Sequence, residues 1–173
     1  MCSIRRVTDV TTILANITVI VSLSIAVMSY LQQIQQTKRD TAVSVVTAFN
    51  SGDMLAIQRR LSIEFAKLKL GQLQGVAVKR DTIEAIVENM VATSADAAET
   101  QQDVITLVSN LDDIAVCVEA ETCDRNVVEA SLGETASRYA CLLLPYAAGL
   151  RQELLLEGLG DSLRAFIDYE ATC

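Results

Sequence analysis

Val10-Thr11-Thr12-Ile13-Leu14-Ala15-Asn16-Ile17-Thr18-Val19-Ile20-Val21-Ser22-Leu23-Ser24-Ile25-Ala26-Val27-Met28-Ser29-Tyr30-Leu31-Gln32-Gln33-Ile34-Gln35-Gln36-Thr37 contains no Asp, Glu, Lys or Arg. Its apolar centre, Ile13 to Leu31, rises roughly 28 Å as an α-helix at about 1.5 Å per residue, close to the hydrocarbon thickness of a bilayer. The stretch predicts a single transmembrane helix over residues 10–37, with residues 1–9 as an N-terminal tail and residues 38–173 as a helical domain. A signal peptide is the competing reading, because Arg5 and Arg6 precede the apolar run. The run exceeds a typical h-region and leads into Gln32-Gln33-Ile34-Gln35-Gln36 rather than to a clear small-x-small cleavage site, so retention is expected. Cys2 precedes the apolar segment, so it does not match a lipobox.

What lies beyond the anchor has room for one modest hydrophobic core. Seven Gly, one Pro and 4% aromatic residues argue against a β-sandwich or barrel. The fold class expected is all-α: the anchor continues into a compact bundle of about five amphipathic helices. A net charge of −8 without a Lys/Arg run longer than a pair leaves no footprint for nucleic acid.

Apolar stripes at helical spacing carry this expectation along the chain. Ala42, Val45, Val46 and Phe49 extend the anchor helix, and Asn50-Ser51-Gly52-Asp53 turns the chain, with Asp53 placed to cap the next helix. Met54, Ile57, Leu61, Phe65 and Leu68 line one face of that helix. Residues 72–79 read as a loop. Asp81-Thr82-Ile83-Glu84 resembles a capping box ahead of Ile83, Ile86, Val87, Met90 and Val91, and Asp96 with Glu99 offers another. Val104, Leu107, Val108, Leu111, Ile114, Ala115 and Val118 form the most regular stripe, with Gln102, Thr106, Ser109 and Asp113 expected in water. Asp124 is placed to cap a helix through Val127, Val128, Leu132, Ala136, Tyr139, Ala140 and Leu143. Within it Gly133 permits close packing, and Pro145 should kink or end it. The uncharged run from Tyr139 to Leu150 is too short for a second membrane pass. Gly158-Leu159-Gly160-Asp161 restarts the chain before a last short helix at Leu163, Phe166, Ile167 and Tyr169.

Chemistry is sparse. The chain has no His, which removes the usual base of nucleophilic triads and the common zinc partner of Cys. No Asp, Glu, Lys, Cys or Tyr spacing connects to a reaction, so no catalytic, cofactor-binding or metal-ligating residue is assigned, and no cofactor. Glu119, Glu121 and Asp124 lack the pattern of an EF-hand loop and read as a solvated helix end. Cys117 and Cys123, with five residues between them, match no metal knuckle, and Cys141 lies in apolar sequence. Buried or free thiols are favoured over a metal site. Cys117, Cys123, Cys141 and Cys173 are equally compatible with two disulfides in an oxidising compartment or with a reduced cytosol.

Ala15, Thr18, Ser22, Ala26 and Ser29 recur at steps of three and four, which places them on one side of the anchor. Small residues in a line let two helix backbones approach closely in lipid. They are read as a transmembrane packing face for a protein partner or a second copy of the chain. Flanking charge barely orients the anchor: Arg5 and Arg6 before it balance Lys38 and Arg39 after it, and Arg59, Arg60, Lys67 and Lys69 tilt the domain toward the cytoplasm.

The order of features resembles bacterial single-pass membrane proteins of a domain-of-unknown-function family. The similarity is carried by the Gln-rich exit from Tyr30 to Arg39, Leu111-Asp112-Asp113-Ile114-Ala115-Val116, Cys123-Asp124-Arg125-Asn126-Val127-Val128, and the Leu-Pro-Tyr helix from Leu144 to Arg151. The resemblance implies one transmembrane helix, a small α-helical domain and a bacterial inner membrane, and no activity. The function expected is a non-enzymatic, membrane-anchored interaction or accessory subunit of a larger membrane complex. The alternative is a membrane-tethered sensor of a small ligand. An enzyme built from dispersed carboxylates, Lys or Cys comes third.

Overall fold

The computed structural model describes residues 2–68 and 79–173, with side chains described from Ile17 onward. The loop expected at residues 72–79 therefore falls almost wholly outside the described residues. Every regular element among them is a helix. The chain divides into two compact units, Met1–Lys38 and Arg39–Cys173.

Helix α1 runs without a break from Cys2 to Phe49. In its last turns Ala42 and Phe49 are fully buried in the core of the second unit, and Val45 and Val46 pack against that core. The helix stops where Asn50 folds its side-chain amide back onto the Val46 carbonyl at 3.0 Å, and Gln58 Nε2 donates to the Phe49 carbonyl at 2.7 Å. The Val46 carbonyl also accepts from Asn50 N at 3.2 Å, and the Gln58 bond satisfies a carbonyl that a helix C-terminus leaves without a partner.

Five elements build the rest of the core: α2 (Gly52–Lys67), α3 (Arg80–Thr93), α4 (Ala97–Glu119), α5 (Arg125–Leu154) and the short α6 (Asp161–Phe166), followed by a single turn, α7 (Tyr169–Thr172). Helix α4 lies against α2, α3, α5 and α6. The whole of its expected stripe, Val104 through Val118, is buried. The expected wet face is narrower than its composition suggests. Gln102 and Asp113 are exposed, but Thr106 and Ser109 are half-buried and Asp103 is buried, because neighbours close on α4 from several directions.

Two helix starts follow the expected caps. The Asp96 carboxylate accepts from Glu99 N at 3.0 Å, and that of Asp124 accepts from Asn126 N at 3.0 Å and Val127 N at 3.4 Å. Two do not. Helix α2 begins at Gly52 after Ser51, so Asp53 sits inside the first turn, where its charge favours the helix dipole rather than capping it. Helix α3 begins at Arg80, and no side chain caps it. Glu84, expected to reach back to that terminus, instead points at α5: a Cβ added to Gly149 would lie 3.2 Å from its Oε1.

Helix α5 continues through Pro145 to Leu154. A proline inside a helix costs about 3 kcal/mol. Here Leu143, Leu144, Tyr146, Ala147 and Leu150 are all buried around it, and that burial outweighs the lost hydrogen bond. The uncharged run from Tyr139 to Leu150 is thus a core helix. The chain turns after it through Leu155, Gly158 and Gly160, all at positive φ. Asp168, at φ 49°, splits the expected last helix into α6 and α7.

The glycines separate two constraints. Gly133 does not mediate close packing: a Cβ there would meet only Glu129 Cβ, at 4.0 Å. Gly160 combines φ 78° with Val108 Cγ1 and Leu144 Cδ2 pressed against the position a Cβ would take. Gly133→Ala is expected to stabilise the domain by about 0.5–1 kcal/mol through helix propensity. Gly160→Ala is expected to lower the thermal midpoint, and paired melts followed by circular dichroism check both signs.

Candidate functional site

The described part of the apolar segment presents its side chains to the outside. From Ile17 to Leu31 the large apolar residues are 50% (Val21, Val27) to 70% (Met28) exposed. The helix is long and apolar enough to cross a membrane, the sole such helix among the described residues. Backbone polar groups within it are satisfied along the helix, as hydrocarbon requires. Ser24 Oγ is also satisfied, donating to the Ile20 carbonyl at 2.9 Å.

Of the expected packing face, Thr18, Ser22, Ala26 and Ser29 are exposed on α1, and the side chain of Ala15 lies outside those described. At 100° per residue these positions share one side of the helix. Among the described residues, neither Ser22 nor Ser29 forms a hydrogen bond.

In the second unit, polar groups are used for construction. Arg60 grips buried Asp103 with two bonds, Nε to Oδ2 at 2.7 Å and Nη2 to Oδ1 at 2.6 Å. Glu99 lies 3.6 Å from the same guanidinium. The hydrogen bond to Asp103 raises the Arg60 pKa above its ordinary value. Such a pair joins α2 to α4 and satisfies a carboxylate that burial would otherwise penalise.

At the C-terminal end, buried Tyr169 receives two guanidinium groups over its ring, Arg80 at 4.9 Å and Arg164 at 4.7 Å from the centroid. Glu170 closes the group, accepting from Arg80 Nη2 at 2.6 Å and lying 3.8 Å from Arg164 Nη1. The bond from Arg80 holds the Glu170 carboxyl below its ordinary pKa, with the charges of Arg80 and Arg164 adding to it against a smaller desolvation cost. The arrangement is a cation–π and ion-pair clasp between α3, α6 and α7.

The two clefts described are small. One of about 190 Å³ is bordered by Arg60, Glu64, Asp96 and Glu99, and one of about 140 Å³ by Glu84, Glu88, Tyr146 and Glu153. Both fall below the roughly 300–1,000 Å³ of small-molecule sites. Desolvation pushes the Tyr146 hydroxyl pKa up, with the charges of Glu153 and Glu88 adding to the effect. Among the described residues no group of three His, Cys, Asp or Glu is placed to hold a metal ion.

The cysteines take one of the two states that the sequence leaves open. All four in the second unit are paired rather than free, Cys117 with Cys123 and Cys141 with Cys173. Cys117 and Cys123 are brought together by the turn after α4, where Thr122 N and Cys123 N both donate to the Cys117 carbonyl at 3.0 Å. Glu121, in the same turn, adopts φ 55°. Asp124 caps α5 there and also accepts from Arg39 Nε at 3.2 Å, so this carboxylate serves the fold.

Compared with protein-family models, curated proteins and solved structures, the chain matches none.

Two outcomes follow from the polar clasps. Arg60→Met leaves Asp103 buried without its partner and should lower the thermal midpoint more than Arg138→Met, whose pair with Glu134 is exposed on both sides. Because the folded pKa of Glu170 is depressed, its contribution to stability is present above the unfolded value near 4.5 and is lost as pH falls through the lower folded value. Glu170→Gln should therefore flatten the acid limb of the stability profile below about pH 4.5, as read by denaturant melts across pH.

Proposed function

We propose that the protein is a non-enzymatic interaction or accessory subunit, held in a bacterial inner membrane by the apolar segment of α1 and engaging a protein partner or a second copy of itself through that helix. The observation that carries this reading is the exposure of the apolar side chains from Ile17 to Leu31. Contiguous apolar surface of this extent in water marks a membrane or protein contact. Its length suits a bilayer.

Two further features support the reading. Ser22 and Ser29, seven residues apart on the small-residue face, carry hydroxyls without a partner among the described residues, whereas Ser24, off that face, bonds its own backbone. In lipid such hydroxyls gain most from a neighbouring helix, at about 1 kcal/mol each. In the domain, Arg60 with Asp103 and Arg80 with Glu170 join helices, and the two clefts described are small, which favours a binding role over catalysis or small-ligand sensing.

The full chain should remain in the membrane pellet after alkaline carbonate washing, and gentle detergent extraction should recover it with a stoichiometric partner or as a homo-oligomer. Replacing Ala15, Ser22 and Ala26 together by Leu should leave it in the membrane and abolish the association. A wild-type protein recovered alone, with the variant indistinguishable from it, overturns the packing face, and release by carbonate overturns the anchor.

A further inference from the structure

The five cysteines are divided by the apolar segment. Cys2 precedes it, and Cys117, Cys123, Cys141 and Cys173 follow it, all four of them paired. The two pairs have separate origins in the fold. The first closes the turn between α4 and α5 across 6 positions, with Cα atoms 5.3 Å apart. The second crosses 32 positions to join the middle of α5 to Cys173, with Cα atoms 5.4 Å apart. Both separations lie within the 4.4–6.8 Å that a disulfide spans without moving the backbone.

Burial argues the same way. A cysteine retained as a small apolar residue is ordinarily buried. Only Cys123 is; Cys117 and Cys141 are half-buried and Cys173 is exposed. Side chains so placed contribute little to the core as thiols, and contribute substantially as cross-links.

Thiols in the cytosol are kept reduced, and structural disulfides persist in oxidising compartments. We infer that the helical domain lies on the oxidising, extracytoplasmic side of the membrane, with the segment before α1's apolar stretch on the reducing side. The inference rests on the reading of α1 as an anchor. It reverses the orientation expected from charge alone, for a physical reason. The positive-inside bias acts over about 15–20 residues beyond a membrane helix. Arg59 and the cations after it lie past that window from Thr37, so they do not tilt the balance, and Arg5 and Arg6 against Lys38 and Arg39 leave a tie that the cysteines break. A partner of the domain is then a protein surface exposed in that oxidising compartment.

The test uses the full chain expressed in bacterial cells. Cells are quenched in acid, free thiols are blocked with N-ethylmaleimide, and the protein is reduced and labelled with a maleimide-polyethylene glycol that adds a countable mass per thiol. Four labels are expected after reduction and none without it. Cys141→Ser with Cys173→Ser should leave two, as should Cys117→Ser with Cys123→Ser. External protease added to spheroplasts should digest the domain. Five thiols blocked before reduction, together with a domain protected until the membrane is breached, overturn the orientation while leaving the anchor intact. Carbonate release of a protein that still carries four labels overturns the anchor and leaves the oxidising compartment standing.

Discussion

The bundle depends on one helix having apolar neighbours on nearly every side. Helix α4 meets α2, α3, α5 and α6, and its residues at 104, 107, 108, 111, 114, 115 and 118 are buried. A helix so enclosed gives only a narrow face to water, where Gln102 and Asp113 lie, so much of its remaining polar surface is answered from within the protein. Asp103 is answered by Arg60 of α2, Asp112 accepts from Leu163 N of α6 at 2.8 Å, and Glu119 accepts from Ser162 at 3.2 Å. The buried stripe places the helix, and these polar bonds fix which neighbours lie beside it and at what register.

Much of this was legible in the sequence because it is local. Hydrophobic spacing identifies α2, α3, α4 and α5, and Asp96 and Asp124 cap the helices that follow them, since a cap needs only a side chain two or three residues from the amide it serves. The small cap errors have the same origin. Asp81 and Glu84 have the composition of a capping box, but Glu84 is drawn toward α5 by tertiary packing, which a local pattern does not contain. Pro145 is a second case: propensity predicts an end or a kink, and burial of the surrounding Leu, Tyr and Ala side chains carries the helix onward.

What the sequence hid is the long-range pairing. Arg60 and Asp103 are 43 positions apart, Arg80 and Glu170 are 90 apart, and Cys141 and Cys173 are separated by 32. Four cysteines admit three pairings, and no spacing rule chooses among them. The small-residue face of α1 presents the opposite situation. Its periodicity is plain in the sequence, and folding adds only that the hydroxyls of Ser22 and Ser29 find no partner among the described residues.

The C-terminal segment illustrates why a domain with so many good helices still carries cross-links. Helices α6 and α7 have 6 and 4 residues, far below the dozen or so at which a helix begins to hold itself in water. Each is held from outside: Asp112 takes the amide of Leu163, Arg151 pairs with Asp161 at 2.7 Å and donates to the Leu159 carbonyl, and Arg80 with Arg164 encloses Tyr169. Every one of these contacts reaches back to a longer helix or to a neighbour in the segment, so the segment is ordered only while its docking is complete. The Cys141–Cys173 bond changes that dependence. In the chain-entropy account, closing a loop of this length removes roughly 4 kcal/mol of unfolded-state freedom, against roughly 2 for the short Cys117–Cys123 loop. The longer cross-link keeps the segment beside α5 through local opening, so that the ion pairs and the buried tyrosine re-form against a tethered chain.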